Sequence, residues 1–315
     1  MGRFIVRRTF SMLVVLFAIS VVTFVIFNVI PGGDPALRMA GRQPDPGQLQ
    51  RIREDWGFNE PVYVQYVKTM GRVFSGELIS YSTQQNVLEE IGKRIGRTFS
   101  LAIGAAIMWM VFATALGLYT AIRAGRFSDR LLTILALVGI SMPVFWIGAL
   151  MNYYLGFKAG IFPNGGYVPI DQDPLDWLYH LIMPWTALSL LFIGVYSRIL
   201  RSNILDTLNE DYVRTARAKG LSERRVLIRH VLRNSLIPIV TLWGLDFGAV
   251  LGGAAILTET VFDLQGVGQY AAESVDQLDV PPVLAITMFG AFFIVLLNTV
   301  VDILYAVLDP RIRLT

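Results

Sequence analysis

Few side chains in this sequence have a type and spacing that could do chemistry. There is no cysteine, and the two histidines, His180 and His230, lie about 50 residues apart. That excludes disulfides, thiolate metal sites and a cysteine nucleophile, and it leaves no histidine pair for a metal centre or catalytic base. No G-x-x-x-x-G-K-[ST] occurs, because Gly92–Lys93 lacks the upstream glycine. No G-x-G-x-x-G occurs either, so the chain has no phosphate cradle of the usual kind. No Ser/His/Asp set and no paired carboxylates stand at metal-ligand spacing. The chain is not expected to be an enzyme, and neither a cofactor nor a metal site is expected in it. Two features remain: a basic stretch running from Glu210 to Arg224, and a lone carboxylate, Asp246, inside an apolar run.

The elements that carry these residues are apolar. Of 315 residues, 54% are hydrophobic and 16% charged. The mean hydropathy is +0.54. A soluble domain usually carries about 25% charged residues, so the surplus apolar surface needs a solvent other than water. A net charge of +3 is too small for a nucleic-acid surface. Crossing a bilayer takes about 20 residues of helix. Six stretches qualify: Thr9–Ile30, Phe99–Ile122, Leu131–Phe157, Leu178–Ile199, Leu236–Thr258 and Val283–Leu308. The fold class is therefore an all-α polytopic membrane protein. The first stretch follows Arg3, Arg7 and Arg8 as a signal peptide would, but its apolar run exceeds the roughly 7–15 residues of a signal h-region. It is read as a true span.

Lys and Arg in short loops set orientation. The stretch 198–233 holds nine of them, while Glu259–Pro282 holds none. Both termini and the segment 198–235 are expected on the cytoplasmic side of the cell inner membrane. The segment 31–97 also holds nine basic residues, but loops beyond about 60 residues translocate largely regardless of charge. Within it, Gln48–Trp56 and Val62–Phe74 have helical apolar spacing, with Tyr63, Val67, Met70 and Phe74 on one stripe and Pro61 at a helix start. Val87, Leu88, Ile91 and Ile95 form a third stripe. A small helical extracytoplasmic cap is expected, serving as a plain lid or as a docking surface. The organisation is residues 1–98, a first span with its cap, and residues 99–315, a five-helix core.

The connector between spans four and five predicts a short helix from about Asp211 to Lys219. Ala, Arg and Lys favour helix, Asp211 suits the positive end of the dipole and Lys219 the negative end. Gly220 suits the stop. A second helix starts with Ser222 as N-cap. Arg225, Arg229 and Arg233 then recur at i, i+4, i+8. Like charges at this spacing destabilise an isolated helix by roughly 0.2–0.5 kcal/mol per pair, so acidic headgroups or an acidic partner should offset them. Positive-inside topology alone is the other reading of these charges.

The run Tyr212-Val-Arg-Thr-Ala-Arg-Ala-Lys-Gly220-Leu resembles the EAA loop of ABC importer permeases, in the version of the dipeptide/oligopeptide/nickel group. Other pieces match in order: Pro31-Gly-Gly-Asp-Pro35, Ser141-Met-Pro-Val-Phe-Trp146, His180-Leu-Ile-Met-Pro184, Glu259-Thr-Val-Phe262 with Gly266-Val-Gly268, and Asp309-Pro-Arg-Ile-Arg313. Gly32–Gly33 adds a glycine to the usual P-G-D-P. Arg214 and Thr215 stand where the general consensus has Glu and Ala, and Arg233–Asn234 replaces its Leu-Pro. The resemblance implies a type I importer fold and the first permease subunit of a peptide importer. It implies as partners a second homologous permease, two cytoplasmic ATPase subunits that hold the ATP and Mg, and an extracytoplasmic solute-binding protein. Asp211, Tyr212, Arg214, Thr215, Ala216, Ala218, Lys219, Gly220 and Leu221 would then form the helix that couples to an ATPase. Nickel complexes, glutathione or oligosaccharides are alternative cargoes in the group. A secondary transporter or channel needing no ATPase is the alternative of another class, and it would call for ion relays and repeats, neither of which is evident.

Inside the membrane, Gly244, Gly248 and Gly252 make two overlapping G-x-x-x-G steps, a packing signal. Asp246 lies about 200° from Gly244 around the helix. A charge near a span's centre costs about 2.5–3.5 kcal/mol on insertion scales and usually lines a cavity. Asp246 is expected either on a translocation path or as a hydrogen-bonded carboxyl between helices. Asn28, Asn152 and Asn298 are candidate interhelical hydrogen bonders, and Asp302 is read as structural, within reach of Arg311. Pro143 and Pro184 are expected to kink spans three and four.

Overall fold

The computed structural model describes residues 2–29, 36 and 45–308, with side chains for 6–27, 36, 45–47, 49–54 and 56–301. The Pro31–Pro35 and Asp309–Arg313 motifs and the side chains of Asn28 and Asp302 lie outside the described residues. The helices are α1 (Gly2–Phe24), α2 (Pro46–Trp56), α3 (Val62–Ser75), α4 (Val87–Ile122), α5 (Phe127–Ser141), α6 (Val144–Met151), α7 (Pro174–Thr207), α8 (Asp211–Ala218), α9 (Ile237–Ala249), α10 (Ile256–Val261), α11 (Val267–Asp276) and α12 (Val280–Leu308). Short helical and π-helical pieces link several of them. Among the described residues there is no strand, only one isolated bridge between Ile79 and Asn86. Five helices are long and apolar enough to span a bilayer, and the bent pair formed by α5 and α6 with its π-helical extension makes up to six. The protein is an all-α polytopic membrane protein.

Contacts gather the chain into two compact units. One comprises residues 1–98, 251–256 and 265–315, the other residues 99–250 and 257–264. In the first, Leu78, Val87, Ile91, Val267, Tyr270 and Ala285 form the buried core, and α1 packs along α12. The stripe Val87–Ile95 does not make a separate cap element. It is the first part of α4, whose 36 residues extend about 54 Å at 1.5 Å per residue, well beyond a core of about 30 Å. In α3 only Met70 of the expected stripe is buried, while Tyr63, Val67 and Phe74 are exposed. The inward residue is Tyr66, which shares a 2.7 Å hydrogen bond with Ser20 and meets the Phe24 ring edge-on at 5.3 Å. A hydroxyl hidden on one face was not visible as part of an apolar period.

The two prolines behave differently. At Pro143 the span breaks with a bend of 99°. Met142 is extended (φ −93°, ψ 132°), as a residue before proline prefers, and Pro143 becomes the N-cap of α6. At Pro184 the helix continues, and α7 runs unbroken for 34 residues from an N-cap, Asp173, whose carboxylate accepts the N–H groups of Leu175 and Asp176. Met183, Pro184 and Trp185 are all buried, so packing on both sides holds the turn that proline weakens. Pro184 therefore does not interrupt span four as Pro143 interrupts span three. Span five instead breaks at Gly253 (φ 134°), a conformation that glycine adopts without a Cβ penalty.

In the second unit an ion pair ties α5 to α7. Arg201 donates from Nε and Nη2 to the two carboxylate oxygens of Asp129 at 2.9 and 2.8 Å, and the Gly125 N–H adds a third bond at 2.9 Å. Asp129 is buried at 3% exposure. Removing one partner of such a pair strands the other charge and costs roughly 3–5 kcal/mol. Asp129→Ala is expected to lower stability by about 3 kcal/mol and the melting temperature of the detergent-solubilised protein by several degrees, whereas Arg130→Ala, an exposed change beside it, leaves the melt unmoved.

Candidate functional site

The connector between α7 and α9 is built outward from buried anchors. The last turn of α7 passes into a turn in which the Asn209 and Glu210 N–H groups bond to the Asp206 and Thr207 carbonyls. Then α8 begins, within one residue of its expected end. Val213 and Ala216 are its buried residues, three apart and so on one face. They pack inward, towards the π-helical segment Val226–Leu232, whose Val226 and Val231 are fully buried. Ala216 therefore belongs to the base of the helix, and Ala218 is the small residue on the outward face. That outward face consists of Asp211, Tyr212, Arg214, Thr215, Ala218 and Lys219, all exposed.

The end of α8 is locked by backbone geometry. Lys219 is the C-cap, Gly220 has φ 78°, and the Gly220 and Leu221 N–H groups bond to the Arg217 and Ala216 carbonyls at 2.9 and 3.4 Å. Ser222 is the next N-cap, but its side chain makes no capping bond. Arg217 spans the turn to Glu223 with two bonds of 3.0 and 3.4 Å. Tyr212 accepts from Asn234 Nδ2 at 2.8 Å. Buried Ser235 closes the base, its hydroxyl donating among Val231 O, Asn203 O and Thr207 Oγ1 at 3.0–3.2 Å. The connector is thus a short helix on a rigid base, with its polar face left open.

Its electrostatics are one-sided. The side chains of Arg198, Lys219, Arg224, Arg225, Arg229 and Arg233 are exposed, and none makes an ion pair among the described residues. The π-helical segment also alters the expected i, i+4, i+8 register of the arginines, because it runs through Arg229.

Asp246 sits on α9 and is partly exposed. Tyr196 of α7, buried at 1% exposure, donates its hydroxyl to Asp246 Oδ2 at 2.6 Å. Tyr196 in turn packs against Phe192 and Trp109. One lone pair of the carboxylate is therefore committed between helices. Gly244 and Gly248 are buried. Gly252 belongs to a close approach that its own spacing could not identify: a Cβ there would stand 2.6 Å from Ile294, and one on Gly290 would stand 2.5 Å from the Gly252 carbonyl. In the other unit a Cβ on Gly104 would fall within the Trp185 indole. Gly104, Gly290, Asp129 and Arg201 had no local signal, because each matters through a partner distant in sequence. Among the described residues no group of carboxylates and histidines is arranged to hold a metal.

Two family models match the chain. The description "Binding-protein-dependent transport system inner membrane component" covers residues 113–314, and its N-terminal companion covers residues 1–102. Among curated proteins the chain is 36% identical to a "Probable peptide ABC transporter permease protein" of Sinorhizobium fredii, over 99% of this chain and 100% of that one. It is 34% identical to the oligopeptide transport system permease protein of Bacillus subtilis, again over 99% and 100%. It is 35% identical to a glutathione transport system permease protein of Escherichia coli, over 99% of each.

Gly220 tests whether the connector depends on backbone or side chain. A Cβ at Gly220 would meet nothing within 4 Å, so only its positive φ opposes substitution. Gly220→Asn is expected to stay near wild type, while Gly220→Val costs about 1–2 kcal/mol. Limited trypsin digestion should then cut residues 211–225 of the valine variant about five-fold faster or more, since cleavage follows the opened population.

Proposed function

The chain belongs to the family of binding-protein-dependent transport system inner membrane components, and on that premise we propose that it is the path-forming permease half of an ATP-driven peptide importer whose connector passes the work of ATP into the membrane. It is a multi-pass inner-membrane permease subunit of an ABC importer. The peptide cargo is a reading from the relatives, most of which carry peptide, oligopeptide or dipeptide in their names. Glutathione, itself a tripeptide with a free amino group, falls within the same reading. The proposed partners are a second homologous permease, two cytoplasmic ATPases that hold ATP and Mg, an extracytoplasmic binding protein and the surrounding lipid. Both termini and the connector face the cytoplasm in this reading.

The observation that carries the proposal is the connector. It presents a short polar helix whose inward face is anchored by Val213 and Ala216 and whose outward face is exposed. A lever must be stiff on one side and free on the other. ATP binding closes an ATPase pair, and a helix seated in one ATPase would move with it. The energy comes from different ATP affinities in the open and closed states. The exposed, unpaired cations Lys219, Arg224, Arg225, Arg229 and Arg233 favour an acidic cleft or acidic headgroups around the seat. Division into residues 1–98 with the cap and 99–315 with the path remains the proposed organisation. Asp246, with one oxygen held by Tyr196, is the proposed polar point on the path, and Gly244, Gly248 and Gly252 are its packing residues.

The decisive variant changes only the outward face. Ala218→Trp adds bulk where the helix is exposed and leaves Val213 and Ala216 in place. In the reconstituted importer, peptide uptake is expected to fall at least about ten-fold, the effect of roughly 1.4 kcal/mol of lost coupling. The amount of permease in the membrane should not change. Uptake at the wild-type rate would remove the coupling role from this helix.

A further inference from the structure

The broken third span ends in a cavity that the connector does not explain. Beyond α6 the helix continues as the π-helical segment Asn152–Lys158. A cavity of about 400 Å³ opens there, lined by Ala149, Asn152, Tyr153, Phe157, Asn164 and Val261.

One of its amides is left as an acceptor by construction. Asn152 Nδ2 donates to two backbone carbonyls, Asn164 O at 3.3 Å and Val261 O at 3.2 Å. Both N–H groups are therefore spent, and the amide orientation is fixed by its partners. Asn152 Oδ1 is buried and accepts no hydrogen bond. Gly156 lies bare against both amides: a Cβ there would collide with Asn164 Oδ1, which covers this spot, and stand 3.1 Å from Asn152 Oδ1. Two amide oxygens thus converge over one bare Cα. The helix ends here too, with Ala159, Gly160 and Ile161 N–H groups folding back on Tyr154, Gly156 and Leu155 carbonyls. A helix C-terminus carries partial negative charge.

The apolar wall suits the same kind of ligand. Tyr153 and Phe157 are exposed and stacked, with centroids 6.0 Å apart and planes at 25°. Exposed ring faces attract cations. The basic side chain of this segment, Lys158, is held over a different ring, Tyr154, at 5.8 Å. No carboxylate lines the cavity, so a cation would be held by dipoles and rings and released again.

We infer that this cavity receives the free α-ammonium group of a peptide, with the Asn152 and Asn164 side-chain oxygens as acceptors and the Tyr153 and Phe157 rings as its wall. The inference rests on the peptide-importer reading and adds to it a chemical preference that belongs to the permease itself. An ammonium has three N–H donors and no acceptor, which complements two convergent oxygens. An N-acetylated peptide offers one amide N–H and no charge, and should bind poorly.

The test uses the assembled importer in nanodiscs without the binding protein, so that only the membrane subunits can discriminate. The probes are trialanine and N-acetyl-trialanine, and saturation-transfer NMR at the first methyl group reads binding. Wild type is expected to hold the free amine about ten-fold tighter or more, the scale of one charge-assisted hydrogen bond. Asn164→Ala, an exposed change, and Phe157→Leu should each bring the two probes towards parity, as should Gly156→Ala by pushing the Asn164 oxygen out of place. Equal binding of both probes to wild type, as expected if water alone serves Asn152 Oδ1, overturns the inference. So does a wild-type preference retained in all three variants. ATP-driven trialanine uptake with the binding protein present is measured in parallel. Failed uptake counts against the peptide reading, while normal uptake with no amine preference counts against this site alone.

Discussion

A peptide N–H or C=O in hydrocarbon has no water to bond with, and leaving it unpaired costs several kcal/mol. Everything else in this chain follows from how that requirement is met. Long helices meet it within themselves, which is why α4 and α7 run for 36 and 34 residues. Where helices are close, side chains supply further partners. Trp185 Nε1 donates to the Ser100 carbonyl, Ser189 Oγ to Ala105, and Trp243 Nε1 to Ala106. Three carbonyls of α4 thereby tie α7 and α9 to it, in a medium where apolar contact alone gives little drive to associate. Gly104 is what lets the Trp185 indole approach that backbone.

The same requirement makes breaks informative. A span interrupted within the membrane must satisfy its loose ends somehow, so a break persists only where neighbouring groups take them up. Pro143 removes one donor and turns the chain by 99°. Farther along that span, Asn152 bonds two carbonyls of segments that would otherwise face the cavity. At Gly253 the positive φ starts a new direction, and Ile256–Val261 resumes as helix. The Phe262 carbonyl then receives the Gly166 N–H at 2.9 Å, over a glycine, Gly165, where any Cβ would meet that carbonyl. The irregular backbone is thus stitched by amides and glycines rather than by charges.

The parts legible in the sequence were those governed by local periodicity. Six apolar runs identified the spans, and the composition around Asp211–Gly220 located α8 to within a residue. The stop at Gly220 followed from the one residue type that enters the left-handed region freely. What escaped was set by partners far along the chain. Asp129 and Arg201 are 72 residues apart, and nothing in the loop around Asp129 points to its partner. The close approach of Gly252 needs Gly290, and nothing in either run indicates the other. Pro143 and Pro184 carry identical local signals. They part because buried neighbours on both sides keep α7 helical through Pro184, and that is a property of packing. The stripe on α3 misled for a related reason: Tyr66 is amphipathic, and its hydroxyl found Ser20. The exposed face was the one that periodicity alone assigned to the interior.

The second unit, taken by itself, offers opposite chemistry at two places. The connector gathers Lys219, Arg224, Arg225, Arg229 and Arg233 without ion-pair partners among the described residues, so whatever covers it must bring acceptors or negative charge. At the cavity the Asn152 amide has both donors spent and its acceptor waiting, so whatever reaches that oxygen must bring a donor. Charge explains the difference in strength. Full charges at an exposed surface are screened within about 8–10 Å in physiological salt, and their attraction is easily reset when a partner moves. Amide dipoles beside aromatic rings bind a cation without neutralising it, which keeps the occupied state shallow. A site that must release its cargo with every cycle is better served by dipoles than by a carboxylate, whose pairing with an ammonium away from water would hold it for longer. Asp246 fits this logic as well. Tyr196 already occupies one of its oxygens at 2.6 Å, so part of its charge is spent on the protein and less remains to trap a passing cation.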